Sequence, residues 1–275
     1  MKLSLSCRIT EPSNRKDVAA IPIGNLVQLA AEAGFVGLSM RASAVSVDTP
    51  HSQVIKVRKL LDNHDLLTSM VTGNVPLATN SSEAPETLRN ITPHLNLAEL
   101  LGAKLVRVMI QRKDDIPFAK RAADEAKERS ITLAQQTHWG TLAETTVEGA
   151  IDLMRQIARQ NVGITFEPAN LLACGDEYAS NAIRRLTPHI VNFYFQNICL
   201  DPNGAHIFKT KTQGHVSLSY VPLDDPTGIA IMPLIDTLHE IGYGGWISIH
   251  QPLRDEQTVE DAIDEAAKTF LPLVS

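Results

Sequence analysis

The sequence predicts a single (β/α)8 TIM barrel over residues 1–275, and three observations predict it. Short runs of apolar and β-branched residues recur along the chain, each followed by a helical pattern. The length of 275 residues is the size such a barrel needs. No Gly-rich phosphate turn follows the first run, where the chain reads Arg8-Ile9-Thr10-Glu11-Pro12, and this argues against a doubly wound open sheet. Alternation of this kind implies parallel strands joined by right-handed crossovers. No composition shift or Ser/Gly linker divides the chain, so one domain is expected.

The β-rich runs are residues 2–7, 36–41, 67–72, 104–110, 131–136, 162–167, 190–197 and 246–250. The first helix, 25–33, stops near Gly34. The second, 50–64, places Val54, Val57, Leu60 and Leu61 on one face. A long third helix runs from Pro85 to Gly102 with a kink at Pro93. Asp115 caps the fourth, with Pro117 in its first turn. Thr145 and Glu148 have capping-box spacing before the fifth. Three more cover 178–186, 231–241 (before Gly242) and the segment from about Thr258 onward. The connection 198–228 carries no helical pattern and reads as a lid or binding loop, a solvated excursion or an oligomer contact. Its candidate ligand contacts are His206, Lys209, Lys211, His215 and Tyr220.

Net charge excludes some partners. A formal charge of −6 argues against nucleic acid, which needs a basic face, but leaves room for a small anion held by local Arg or Lys. No apolar run is long enough to span a bilayer, and the N-terminus has no signal-peptide pattern. Cys7, Cys174 and Cys199 lack metal-type spacing, and reduced thiols in a cytoplasmic protein are expected. A homo-oligomer is compatible with all of this.

Barrels of this type do chemistry at the C-terminal ends of their strands. In the fifth run, Gln136 and His138 face the same way. Glu167 ends the sixth, with Asn170 one turn later. Asn192, Tyr194 and Gln196 alternate along the seventh, and His250 ends the eighth. Taken singly, each polar ending reads better as a capping or loop hydrogen-bonding group than as a ligand. Taken together, carboxylate, imidazole and amide groups could hold a divalent metal, with Glu167 and His250 as the strongest ligands and Gln136 assisting. Arg41, at the end of the second run, is a candidate anchor for an anionic substrate group, and Arg112 and Lys113 read as a solvated charge cluster with Asp114 and Asp115. His138, Asn192, Tyr194 and Lys209 are further candidate substrate contacts.

These stretches also carry a resemblance. HEIGYGGWISIHQP, 239–252, resembles the Leu-x-x-x-Gly-Tyr-x-Gly-Trp-x-x-x-Glu ending of the xylose isomerase-like TIM-barrel superfamily of sugar isomerases and epimerases. LGAKLVRV (101–108), ITLAQQTHWGTLAETT (131–146), VGITFEPANLL (162–172) and IVNFYFQNI (190–198) are similar to its other strand segments. The resemblance implies a metal set of Glu, Asp, His and Glu at Gln136, Glu167, Tyr194 and His250, and all four positions depart from it. Gln136 cannot exchange a proton at neutral pH, whereas His250 can, with an unperturbed pKa of about 6.5. If an ion binds, Zn2+ or Mn2+ is expected rather than Mg2+.

Two functions follow. One is a sugar or sugar-acid isomerase, epimerase or related lyase with His250 as general base and Glu167 as metal ligand or second acid–base group. The other is a non-catalytic carbohydrate-binding or partner subunit whose metal site has decayed. A related endonuclease IV-type activity needs a dense multi-zinc set of His, Asp and Glu that this chain lacks.

Overall fold

In the computed structural model, which describes residues 1–143 and 146–274, the eight apolar runs are the eight strands of a closed parallel barrel. They are β1 (Lys2–Ser6), β2 (Gly37–Arg41), β3 (Leu67–Thr72), β4 (Leu105–Val108), β5 (Thr132–Gln136), β6 (Val162–Phe166), β7 (Ile190–Phe195) and, after an excursion, β11 (Trp246–Ile249). Each pairs in parallel with its neighbours in chain order, and β11 closes the ring between β7 and β1. The main core lies between strands and helices: Leu5, Leu38, Val106, Leu133, Ile164, Phe193 and Ile249 face outward onto helix stripes such as Ala119, Ala122, Ala123 and Ala126. Small residues on that stripe let the helix approach the sheet closely.

The barrel lumen follows the opposite parity of each strand and is unusually polar. Ser4, Ser39, Thr165, Asn192 and Ser248 are all fully buried. Ser4 and Ser248 hydroxyls meet at 2.5 Å, and the Tyr194 hydroxyl crosses the lumen to Ser39 at 2.8 Å. The apolar share of the interior is a small cluster of Met70, Leu105, Ala134 and Tyr194, with Trp246 against it. Gly37 is required beside Trp246, because a Cβ there would stand 2.9 Å from the indole ring.

Helical expectations hold with three corrections. The third helix is not continuous: Glu86–Arg89 ends before Ile91, and Thr92–Leu101 begins anew with Pro93 in its first turn, where no backbone donor is needed. A further short helix, Val75–Thr79, precedes them. Gly102, at φ 69°, ends the run as expected. The expected cap Thr145 lies outside the described residues; Thr146 caps Val147–Ile157 by accepting from Gly149 N.

The third correction concerns the connection 198–228, which is not an unstructured loop. It folds into a three-stranded antiparallel sheet of β8 (Ile198–Leu200), β9 (His206–Thr210) and β10 (Gly214–Tyr220), in the order β8-β10-β9. Asn197 fastens its base by donating to Pro222 O at 2.8 Å and accepting from Ile229 N at 2.6 Å. No disulfide is formed among the described residues. No helix among the described residues is long and apolar enough to cross a membrane.

Candidate active site

A narrow cavity of about 360 Å3, its mouth included, opens at the C-terminal face of the barrel. Gln136, His138, Glu167 and His250 line it, as the strand-end rule requires, together with Arg8, Lys16, Arg41, Arg107, Asn170 and Tyr220. Tyr194 and Asn192 lie in the lumen and are not among its lining residues: the Tyr194 ring stacks on His250 at 4.0 Å, and both side-chain polar atoms of Asn192 are buried without partners among the described residues. Lys209 is exposed on β9, away from the cavity. Thus the fold brings Arg41, Gln136, His138, Glu167, Asn170, Gln196 and His250 to one cavity, with Tyr194 stacked on His250, but not Asn192 or Lys209.

Glu167 follows directly on β6 and is fully buried. Its Oε2 accepts from Gln136 Nε2 and from Asn170 Nδ2, the latter at 2.6 Å, while Oε1 has no partner among the described residues. Asn170 is one helical turn further on in Pro168–Ala173, which aims its amide back at the carboxylate. Burial penalises the ionised carboxyl and pushes Glu167 up to about 7, although Gln136 and the cations Arg107, Lys16 and Arg41 pull the other way.

His250 is held from below by Tyr194 and at the side by Ser6, whose Oγ lies 2.9 Å from Nδ1. Burial lowers its pKa well below the ordinary histidine value, reinforced by Arg41, Arg8, Arg107 and Lys16. The imidazole is therefore neutral at pH 7. Ser6 Oγ accepts from Arg8 N and still has its hydrogen to give; in the tautomer where that hydrogen goes to Nδ1, the ring proton sits on Nε2. His138 is neutral for the same reason, with burial and then Lys16 and Arg107 lowering it. Its Nδ1 bonds Trp139 O and its Nε2 meets Asn80 Nδ2 at 3.0 Å.

Arg41 has an occupant already. Its Nε and Nη2 donate to Glu11 at 2.8 and 3.0 Å, and Arg8 Nη1 and Ser43 Oγ complete the shell of that fully buried carboxylate. The charge at the end of β2 thus has a structural reason that its own strand did not reveal. Three charged lining residues escaped the sequence reading: Arg8, Lys16 and Arg107. Arg107 had a signal, because a charge at a lumen-facing position of LVRV cannot face solvent. Lys16, in the irregular segment after β1, had none.

The geometry does not fit a divalent metal. No group of three or more His, Cys, Asp or Glu among the described residues could hold one. Gln136 turns its amide nitrogen, not its oxygen, toward Glu167, and the hydroxyl of Tyr194 is turned to Ser39. Arg107 and Lys16 line the same cavity and would repel an incoming cation. The Zn2+ or Mn2+ set expected at Glu167, His250 and Gln136 is therefore not assembled.

The aromatic rim ties the site to the excursion sheet. Trp139, beside His138, stacks on Phe208 of β9 with ring centroids 3.8 Å apart and an interplanar angle of 2°. Tyr220 enters the lining from the end of β10.

Comparison with known proteins places this architecture. Among solved structures, the chain is similar to the probable 3-DHS dehydratase AsbF of Bacillus anthracis, described as involved in petrobactin synthesis. The TM-score is 0.73 at 16% identity, over 98% of this chain and 99% of that one. It is similar also to a xylose isomerase-like TIM barrel protein of Mycobacterium smegmatis in complex with magnesium, with a TM-score of 0.71 at 15% identity over 99% and 95%. A D-psicose 3-epimerase of Clostridium cellulolyticum matches with a TM-score of 0.64 at 12% identity over 100% and 99%. At these identities the likeness is one of fold. No curated protein matches the sequence. The family profile described as xylose isomerase-like TIM barrel matches residues 27–272, and the chain belongs to that family.

Proposed function

We propose that this protein is an isomerase or lyase that moves a proton beside the carbonyl of a small carbohydrate or sugar acid, with Glu167 as the proton-transfer group. The observation that carries this reading is the state of Glu167: a cavity-lining carboxyl with one free oxygen and a pKa of about 7. Such a group exchanges protons most effectively near neutral pH. The fold neighbours include a probable dehydratase and 3-epimerases.

In this reading the free Oε1 of Glu167 removes the carbon-bound proton. His250, neutral and carrying its proton on Nε2, donates to the carbonyl oxygen as negative charge develops there. It acts as an electrophile, which revises its expected part as general base. Lys16, half-buried and lowered to about 7 by burial and by Arg8, Arg41 and Arg107, is the second group able to exchange a proton at this pH. Return of the proton to the adjacent carbon, with the neighbouring hydroxyl proton passing to the original carbonyl oxygen, completes an isomerisation; departure of a β-hydroxyl as water, protonated by the carboxyl of Glu167 that took the carbon-bound proton, completes an elimination. The sheet β8–β10 and Trp139 cover the mouth and limit water.

The binding-only alternative has one observation in its favour, the amide of Gln136 where the family's second carboxylate is expected. One experiment separates the two. Aldoses, ketoses, sugar acids and their phosphates are incubated with the enzyme in D2O, and carbon-bound deuterium is followed by NMR. Exchange that falls at least ~100-fold in Glu167→Gln supports proton transfer. No exchange with any compound would support the binding subunit.

A further inference from the structure

Four cations meet at the cavity, and only two of them have an ion-pair partner among the described residues, a single carboxylate that they share. Glu11 serves both Arg8 and Arg41. Arg107 and Lys16 have no ion pair among the described residues. The Arg107 guanidinium, projecting into the lumen end from β4, is 2% exposed and meets only neutral acceptors. These are the carbonyl of Leu77 and the side-chain oxygen of Asn80, at the C-terminal end of helix Val75–Thr79. Its Nε has no partner. Lys16 has no hydrogen bond among the described residues and lines the same cavity. The remaining carboxylate of the lining, Glu167, is engaged by two amides on Oε2.

Helix C-terminal carbonyls offset part of a guanidinium charge. A buried cation without a counter-charge still destabilises a fold by several kcal/mol at the order-of-magnitude level. Keeping the buried Arg107 and the half-buried Lys16 beside one cavity makes sense when the missing negative charge arrives with a ligand. Two cations without an ion pair favour a ligand group carrying two negative charges.

We propose that the cavity binds its substrate through a dianionic group, a phosphate monoester or a pair of carboxylates, and that Arg107 and Lys16 supply the positive charge a divalent cation would otherwise supply. This deepens the reading above, and it rests on that reading only in treating the bound anion as part of a substrate. The guanidinium offers its free Nε–H as a directed donor, and the ammonium offers up to three donors on a flexible stem.

The test is calorimetric titration of the full-length protein in excess EDTA at fixed ionic strength and pH 6.5, where Lys16 is mostly charged and Glu167 mostly neutral, with inorganic phosphate, malonate and acetate as probes. Phosphate and malonate are expected to bind at least about tenfold tighter than acetate, without added metal. Arg107→Gln is expected to weaken phosphate about tenfold or more, and Lys16→Met to do likewise. Should Arg107→Gln fail to fold by circular dichroism, Lys16→Met decides, since the half-buried Lys16 side chain makes no hydrogen bond or ion pair among the described residues. Acetate binding as tightly as phosphate, phosphate binding only with added Mg2+ or Mn2+, or no anion binding at all would each overturn the proposal. Phosphate binding without deuterium exchange on any substrate would sink the proton-transfer reading and leave this one standing.

Discussion

Asn170 donates its amide Nδ2–H to Oε2 of Glu167 at 2.6 Å, while Oε1 of the same buried carboxyl has no partner among the described residues. A buried carboxyl satisfied on one oxygen and unpartnered on the other is oriented and keeps an acceptor position open for a ligand to fill. Its ionisation is disfavoured by burial more than neighbouring cations favour it.

That balance has a consequence for stability. Between its ordinary value of 4.5 and its folded value of about 7, Glu167 holds a proton in the folded chain that the unfolded chain has lost. Stability from this group is thus full below pH 4.5 and is lost as pH rises through 7, by roughly 3 kcal/mol in all. Glu167→Gln removes the ionisation, so thermal melts from pH 5 to 8 should fall less steeply in the variant than in the parent. Identical slopes would mean that the carboxyl titrates in the usual range.

Glu11 is the keystone of the cationic wall. It is fully buried and accepts from Arg41, Arg8 and Ser43. Glu11→Ala strands two buried guanidiniums and should cost about 3–5 kcal/mol in urea unfolding. A loss below about 1 kcal/mol would show that solvent, not Glu11, balances those charges.

The imidazole of His250 separates donor from base. As a neutral donor held by Ser6 and Tyr194, it should be partly replaced by an amide. With a substrate from the deuterium screen, His250→Ala should lose ~100-fold or more in kcat/KM and His250→Gln clearly less. Equal losses, together with a pH profile that loses its lower limb, would return His250 to the role of base.

Trp139 and Phe208 fasten the excursion sheet over the cavity. An aromatic pair of this kind contributes about 0.5–1.5 kcal/mol, so Phe208→Ala should speed hydrogen exchange in residues 206–220 by roughly 2- to 10-fold. Exchange rates in the barrel strands should not change. With only two tryptophans in the chain, Trp139 emission gives a second readout.

Much of this was legible in the sequence, and the gaps have physical causes. All eight barrel strands announce themselves because their outward faces are apolar and their helices punctuate them. The family resemblance located Gln136, Glu167 and His250 at one face, since strand ends share that face whatever their chemistry. What stayed hidden was pairing across sequence distance. Arg41 reads as a free anchor until Glu11, 30 residues away in sequence, is seen against it. Arg107 reads as an ordinary charge until its lumen parity is known. The sheet β8–β10 went unseen because its strands are half-exposed and mix polar with apolar residues, and its turn at Gly214 (φ 69°) resembles any loop glycine.

The central claim is that Glu167 is a proton-exchanging group at neutral pH, and its own titration tests this most directly. The side-chain carboxyl 13C shift of Glu167, assigned by its absence in Glu167→Gln, is followed from pH 3 to 9 in the ligand-free protein. A midpoint near 7 is predicted. A midpoint near the ordinary 4.5 would contradict the account, because the carboxylate would then be a permanently ionised partner of the cationic wall.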